Sequence, residues 1–163
     1  DSDGYDYVTS GREANTIHVT STDGKNFSRK RPVMTNEDYP SDDTRHVRDP
    51  KVFCQDGRYL MVQGARRKDD QGEVLVFSSD DLKNWKLANR VSTDYPFGYM
   101  WECPGLVTLT DEVTGLERDV LIWCPQGARP AGEEGYENAA STFTAPTSMI
   151  SVVRPPFLRF LGT

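Results

Sequence analysis

Histidine, cysteine, positive charge and long apolar runs are all scarce in this chain. Its 163 residues include 2 His and 3 Cys. Cys54, Cys103 and Cys124 are odd in number, widely spaced and free of any Cys-x-x-Cys pair, which argues against a disulfide framework and against a zinc site. A reducing, cytoplasmic compartment is the simpler expectation, and the sequon Asn26-Phe27-Ser28 would matter only in a secreted chain. The 19 basic residues are outnumbered by 25 acidic ones, giving a net charge of -6. Nucleic acids and anionic membranes attract clustered positive charge, so neither is an expected partner. The short basic groups Arg29-Lys30-Arg31 and Arg66-Arg67-Lys68 read as solvated loop ends. No apolar run approaches the length of a membrane span. The opening Asp1-Ser2-Asp3-Gly4 is neither a signal peptide nor an ordinary start, so further sequence is expected upstream. A helical apolar period is missing throughout, and helix should be scarce.

What the chain does have is a succession of short runs of strand length. Tyr5-Val8 and Thr16-Thr20 read as a hairpin around Gly11, and a Ser21-Phe27 turn centred on Asp23-Gly24 leads to a strand near Pro32-Met34. Asn36-Arg45 reads as a connecting loop. After Pro50 come Lys51-Phe53, a turn at Gln55-Gly57, Tyr59-Gln63 and Glu73-Phe77, continuous apolar runs of the kind buried on both faces. Ser78-Trp85 then echoes Ser21-Phe27: serine, aspartate, a polar turn, Lys-Asn and an aromatic. The aromatics Phe27 and Trp85 lie 58 residues apart, and the acids Asp49 and Glu102 lie 53 apart. A third unit opens at Pro104 with Leu106-Leu109 and continues with Val120-Trp123. Repeats of this length built from four short antiparallel strands predict an all-β chain made of β-propeller blades. Such propellers close with at least about four blades, and the chain holds about three repeats, so it is expected to be part of a larger propeller. Residues 1–138 form the expected propeller part. In 139–163 the character changes, with no acid and with Pro155-Pro156 where a strand is wanted; a poorly ordered end and a lost native frame are both open readings.

Two acids are presented in similar ways. Asp49 lies in Arg48-Asp49-Pro50, where proline is expected to push the preceding residue into extended backbone, and Glu102 lies in Trp101-Glu102-Cys103-Pro104. If each stands at the entrance to the innermost strand of a blade, both carboxylates project into one axial pocket. Paired carboxylates suit glycoside chemistry, one ionised and one held protonated as an acid. Arg48 can donate in a fixed fork to a hydroxyl or to Asp49, and Trp101 can offer an apolar face to a sugar ring. Taken singly, Asp-Pro and Glu-x-Pro would only shape turns; their recurrence beside Arg48 and Trp101 favours a site.

These residues also carry a resemblance. H-V-R-D-P-K-V-F at His46–Phe53 and M-W-E-C-P at Met100–Pro104 are similar to two signature motifs of glycoside hydrolase family 32, the invertase and fructan hydrolase family. Gly64-Ala65-Arg66, the run Gly72–Asp80 and Leu82-Lys83-Asn84-Trp85 resemble its bacterial sucrose-6-phosphate hydrolase branch. The resemblance covers about residues 5–138. It implies a five-bladed catalytic propeller, of which this chain would be the second and third blades and the start of the fourth. It also implies Glu102 as general acid/base, Asp49 as transition-state stabiliser, and Arg48 as a ligand of fructosyl hydroxyls. No metal or cofactor is implied. The family's aspartate nucleophile belongs to an Asp-Pro-Asn motif, which is not found in this chain, so the 163 residues alone are expected to be inactive. Gly105 also departs from the pattern, since an acid often follows the Glu-Cys-Pro triplet there.

The expected substrate is a small sugar: sucrose, sucrose 6-phosphate or a fructan. Phosphate recognition would need a basic group, for which Arg45, Arg66 and Arg67 are candidates. His18 reads as a surface or packing residue, while His46 beside the motif is open. Cys103 should point away from Glu102 and pack between blades, because neighbouring strand residues face opposite sides. Gln126 reads either as pocket lining or as a turn residue. The alternative function is a non-catalytic carbohydrate-binding propeller, disfavoured because binding alone does not need a second, protonatable acid. A protein-interaction scaffold would leave both acids and Trp101 without a purpose.

Overall fold

The computed structural model describes residues 11–55, 57–94, 97–128 and 150–153. The expected strand Tyr5-Val8 lies outside them, as does all of 139–163 except Ile150–Val153. Among the described residues nine strands run in the order β1 (Thr16–His18), β2 (Arg31–Met34), β3 (Asp43–Gln55), β4 (Arg58–Arg67), β5 (Gly72–Ser79), β6 (Lys86–Val91), β7 (Met100–Thr110), β8 (Glu117–Gln126) and β9 (Ile150–Val153). Among the described residues the helical content is a single 3-10 turn, Asn36–Asp38, inside the stretch read as a loop. Among the described residues no helix is long and apolar enough to cross a membrane.

The strands form antiparallel sheets in chain order: β1-β2, then β3-β4-β5-β6, then β7-β8-β9. The middle sheet is a complete four-stranded blade and the all-β reading holds. β1 and β2 correspond to β5 and β6 of the next unit, because each pair is joined by the repeated turn. In the first turn Asp23 Oδ1 accepts the amides of Lys25 and Asn26 at 2.9 and 2.8 Å. In the second, Asp81 Oδ1 accepts those of Lys83 and Asn84 at the same distances, 2.9 and 2.8 Å. These amide donors hold both carboxyls well below their usual range. The turns share a left-handed residue, Gly24 in one and Leu82 in the other.

The apolar runs of β4 and β5 do not alternate with polar residues because both faces of the middle sheet are covered. On one face Met61, Ala65, Leu75 and Phe77 pack with Ala14, Met34 and Val47, and with Tyr39 and Trp85 at the edge. On the other, Val62, Val74 and Val76 pack with Trp101, Leu121 and Trp123 from the third sheet. Gln63 Nε2, 1% exposed, donates to Thr16 Oγ1 at 2.9 Å, and Thr16 is in turn bonded to Tyr39 Oη at 3.1 Å. A buried polar link thus ties β1 to β4 across the first packing layer.

Candidate active site

Two matching β-bulges build the site. Between Arg48, opposite Gly64, and Lys51, opposite Val62, strand β3 carries two residues against one on β4. Between Glu102, opposite Cys124, and Gly105, opposite Ile122, strand β7 carries two residues against one on β8. The extra pairs are Asp49-Pro50 and Cys103-Pro104. A bulge leaves a residue unpaired, so proline's missing N–H costs no ladder bond there.

This geometry corrects two expectations. Asp49 is not extended: its φ is 59°, and Cys103 matches it at 49°. The bulge overrides the local preference that proline imposes on the residue before it. The two acids are also not structural equivalents. The bulges superimpose Arg48 on Glu102, Asp49 on Cys103 and Pro50 on Pro104, a shift of 54 residues rather than 53.

Each acid is nevertheless held by the other's strand at the seam between β3 and β7. Arg48 Nη2 lies 2.6 Å from Glu102 Oε1, with the two side chains 23% and 16% exposed. One residue further along, the Cys103 amide donates to Asp49 Oδ2 at 2.9 Å. The Cys103 thiol donates weakly to the same oxygen at 3.6 Å. Cys103 is exposed rather than packed between sheets, because its left-handed backbone breaks the alternation that would have turned it inward. Partial burial, the Asp49 charge and the bond to Asp49 all push the Cys103 thiol upward from its ordinary value, so it is held as a thiol.

Trp101 is not in the cleft. It is 2% exposed, stacks on Trp123 with centroids 4.4 Å apart at 25°, and donates from Nε1 to the Phe97 carbonyl at 2.9 Å. The reason is strand alternation: with Glu102 facing the cleft, its neighbour faces the core. The indole needs Gly72 beneath it, where a Cβ would overlap the ring. Gly64 likewise admits the Trp101 carbonyl, so β7 lies directly against β4.

The remaining candidates fall around this seam. His46 is buried at 2% exposure, and burial together with the nearby charges of Arg48, Arg12 and Arg66 lowers its pKa to about 4. It is therefore neutral at pH 7. Arg66 donates to Asp70 at 2.7 and 3.0 Å and covers the Tyr99 ring at 4.5 Å. Arg67 pairs with Asp69 at 2.6 Å, and Arg45 donates to the Arg12 carbonyl at 2.9 Å. His18 sits half-buried on β1 opposite Arg31. Gln126 pairs with Met100 at the end of β8, and its carbonyl accepts the Tyr99 amide at 2.9 Å. Among the described residues no group of three or more His, Cys, Asp or Glu is arranged to hold a metal ion. Reading the sequence missed the Cys103 amide as a ligand of Asp49; the repeated X-Pro pairs were the signal that could have found it.

A carboxylate gripped by an amide, near a second carboxylate paired with a guanidinium, is an arrangement able to steady positive charge at one point and exchange a proton at another. Comparisons with known proteins identify the family. Residues 4–150 match the family model described as the glycosyl hydrolases family 32 N-terminal domain. The chain is 39% identical over 122 residues to the sucrose-6-phosphate hydrolase of Klebsiella pneumoniae, covering 72% of this chain and 24% of that protein. It is 39% identical over 112 residues to a probable sucrose-6-phosphate hydrolase of Psychromonas ingrahamii, covering 68% of this chain and 19% of that protein. Among solved structures, a mutant of the Bombyx mori GH32 β-fructofuranosidase in complex with sucrose superimposes with a TM-score of 0.59 at 36% identity, over 71% of this chain and 24% of that one. The sucrose-6-phosphate hydrolase of Lactobacillus gasseri does so with a TM-score of 0.57 at 29% identity, over 69% of this chain and 22% of that one. The chain therefore spans about a quarter or less of the length of these relatives. Its two bulged motifs, its antiparallel blades and its match over residues 4–150 place it in one family: the chain belongs to glycosyl hydrolase family 32.

Proposed function

We propose that the whole protein is a retaining β-fructofuranosidase, a hydrolase of the fructosyl bond in sucrose or sucrose 6-phosphate, to which this chain contributes the second and third of five blades and the start of the fourth. The observation that carries this reading is the seam itself, where Arg48 meets Glu102 at 2.6 Å and Asp49 accepts the Cys103 amide at 2.9 Å. Glu102 protonates the leaving glucosyl oxygen as the fructosyl C2–O bond breaks. Asp49, oriented by the Cys103 amide, faces the positive charge that develops on the fructosyl ring. Arg48 orders the sugar hydroxyls and releases Glu102 to them as substrate enters. The attacking carboxylate comes from elsewhere in the whole protein, since no Asp-Pro-Asn motif occurs in these 163 residues. Water, deprotonated by Glu102, then frees fructose.

The names of the matching relatives support this substrate class, and the unpaired Cys54, Cys103 and Cys124 support a reducing, cytoplasmic setting. The test is fructose release from sucrose and from sucrose 6-phosphate by the whole protein and by its Glu102→Gln variant. Removing the transferable proton while keeping the shape should cost roughly 10²- to 10⁴-fold in turnover. The isolated 163-residue chain should release none. An unimpaired Glu102→Gln protein would sink the assignment of the acid, and binding of sucrose without hydrolysis by the whole protein would favour the carbohydrate-binding module.

A further inference from the structure

Away from the seam, the corner where β3, β5 and β6 begin or end holds more acid than its basic groups can balance. Asp43 opens β3 with a side chain that is 0% exposed, and Glu73 lies near the start of β5 with a side chain that is 1% exposed. Arg90 on β6 reaches both: Nη2 is 2.7 Å from Glu73 Oε1 but 3.7 Å from Asp43 Oδ1, beyond hydrogen-bond length. The same guanidinium makes two bonds to Asp42, at 2.9 and 2.8 Å. Arg67, opposite Asp43 on β4, is a second cation at this corner, and it pairs with Asp69 at 2.6 Å. Lys68 turns its ammonium to the Ser41 carbonyl at 2.6 Å and its amide to that of Asp42 at 2.9 Å.

Three carboxylates thus share one guanidinium, and two of them are sealed from water. Neither Asp43 oxygen receives a hydrogen bond from an N–H or hydroxyl donor. A buried carboxylate with no donor is costly, whereas a protonated one can donate to a neighbouring carboxylate, and the neighbour is Glu73. We propose that Asp43 keeps a proton that it donates to the Glu73 carboxylate and that, with Arg90 and Asp42, this pair forms a pH-sensitive clamp that fastens the start of β3 to β5 and β6.

The clamp bears on both halves of the seam. The strand it anchors at Asp43 carries Arg48 and Asp49, and the residue before Glu73 is Gly72, which supports the Trp101 indole beside Glu102. Burial, the Glu73 charge and the bond to Glu73 raise the Asp43 pKa to about 8. The unfolded chain titrates this group near 3.8, so its contribution to stability is full below that value and is lost as pH rises through about 8. Above that, two buried carboxylates repel across one Arg90 fork and the corner loosens. This inference stands independently of the reaction proposed above.

The test uses the whole protein, its Asp43→Asn and Glu73→Gln variants, and two readouts. Asparagine donates the same hydrogen bond without titrating. Between pH 6.5 and about 8, where His46 is present in both proteins and its slope cancels in the comparison, the wild-type melting temperature should therefore fall relative to that of Asp43→Asn. The underlying folding constant should drop by up to about tenfold per pH unit. A gap that stays constant across this window overturns the clamp. Should Asp43→Asn fail to fold, the wild type decides alone. Its infrared spectrum at about pH 6.5 should contain the carbonyl stretch of a buried protonated carboxyl, bleaching as pH passes about 8 and absent in Glu73→Gln if that variant folds. A wild type without that band overturns it too.

Discussion

Asp49 and Cys103 hold the same place in consecutive sheets and are bonded to each other, amide to carboxylate, at 2.9 Å. One copy of a repeated bulge has kept an acid, while the other offers that acid its backbone N–H and its thiol. The pairing makes Cys103 a reporter on Asp49. With partial burial and then the Asp49 charge raising its pKa, the thiol ionises above its ordinary range and should react slowly with iodoacetamide at neutral pH. Asp49→Asn removes the charge, so the thiolate fraction should rise and alkylation of Cys103 should quicken several-fold, up to about tenfold. Exposed Cys54 serves as the internal reference. Equal rates in the two proteins, read by mass spectrometry of the modified peptide, would show that the charge does not act on the thiol.

The 2.6 Å contact between Arg48 and Glu102 predicts a second result. Lysine keeps the charge but loses the planar fork that can hold Glu102 and a sugar hydroxyl together. In the whole protein Arg48→Lys should lose about 10- to 100-fold in kcat/KM, and Arg48→Ala should lose more, because a misplaced reacting pair alone can cost about 10²-fold. Steady-state kinetics on sucrose tests this; lysine restoring full activity would mean that charge alone is needed there.

Much of this was legible in the sequence, and the errors have identifiable causes. Continuous apolar runs such as Tyr59-Gln63 and Glu73-Phe77 announced strands covered on both faces, and the paired Ser-Asp-Lys-Asn turns announced the repeat. Trp101 was misassigned to the cleft even though alternation, applied to Glu102, would have turned it into the core. Cys103 departs from expectation for the opposite reason: alternation does not carry across the bulge in which it lies. A bulge is a register property of two strands, and no single stretch of sequence states its partner. The Asp43-Glu73-Arg90 corner was equally hidden, because its members are drawn from three strands spread over 48 residues from Asp42 to Arg90.

The close approach of β7 to β4 predicts which small substitutions do most harm. A Cβ on Gly64 would overlap the Trp101 carbonyl, and one on Gly72 would overlap the indole. The first obstacle is backbone, and the second is a ring clamped by Trp123 and the Phe97 carbonyl, so neither can swing aside. Gly64→Ala and Gly72→Ala should each destabilise the protein by about 1–3 kcal/mol, the range for forcing extra carbon into a packed interior. Gly57→Ala makes the comparison: nothing lies within 4 Å of its Cβ, and its left-handed φ of 78° is the only penalty. Chemical denaturation ranks the three. Gly57→Ala proving the most harmful would mean that β4 and β7 are not packed as described.

His46 makes a prediction for acid conditions. Burial is the main reason that its pKa lies at about 4, with Arg48, Arg12 and Arg66 adding repulsion. The unfolded chain protonates this imidazole near 6.5. Between those values the unfolded state binds a proton that the folded state refuses, so the group's contribution to stability is present above pH 6.5 and is lost as pH falls through about 4. Asp43 slopes the other way over the same interval, since its folded form holds a proton that the unfolded chain has released. The two gradients oppose one another, and a plain stability profile of the wild type should be nearly flat there. Separating them takes a variant. His46→Gln abolishes only the histidine gradient, so its stability relative to wild type should improve as pH is lowered from 6.5 towards 4, by up to about 1.4 kcal/mol per pH unit. Thermal melts of both proteins across that interval give the difference directly. A difference that does not vary with pH would show that His46 already takes up its proton in the folded protein, and that the three arginines do not govern its charge.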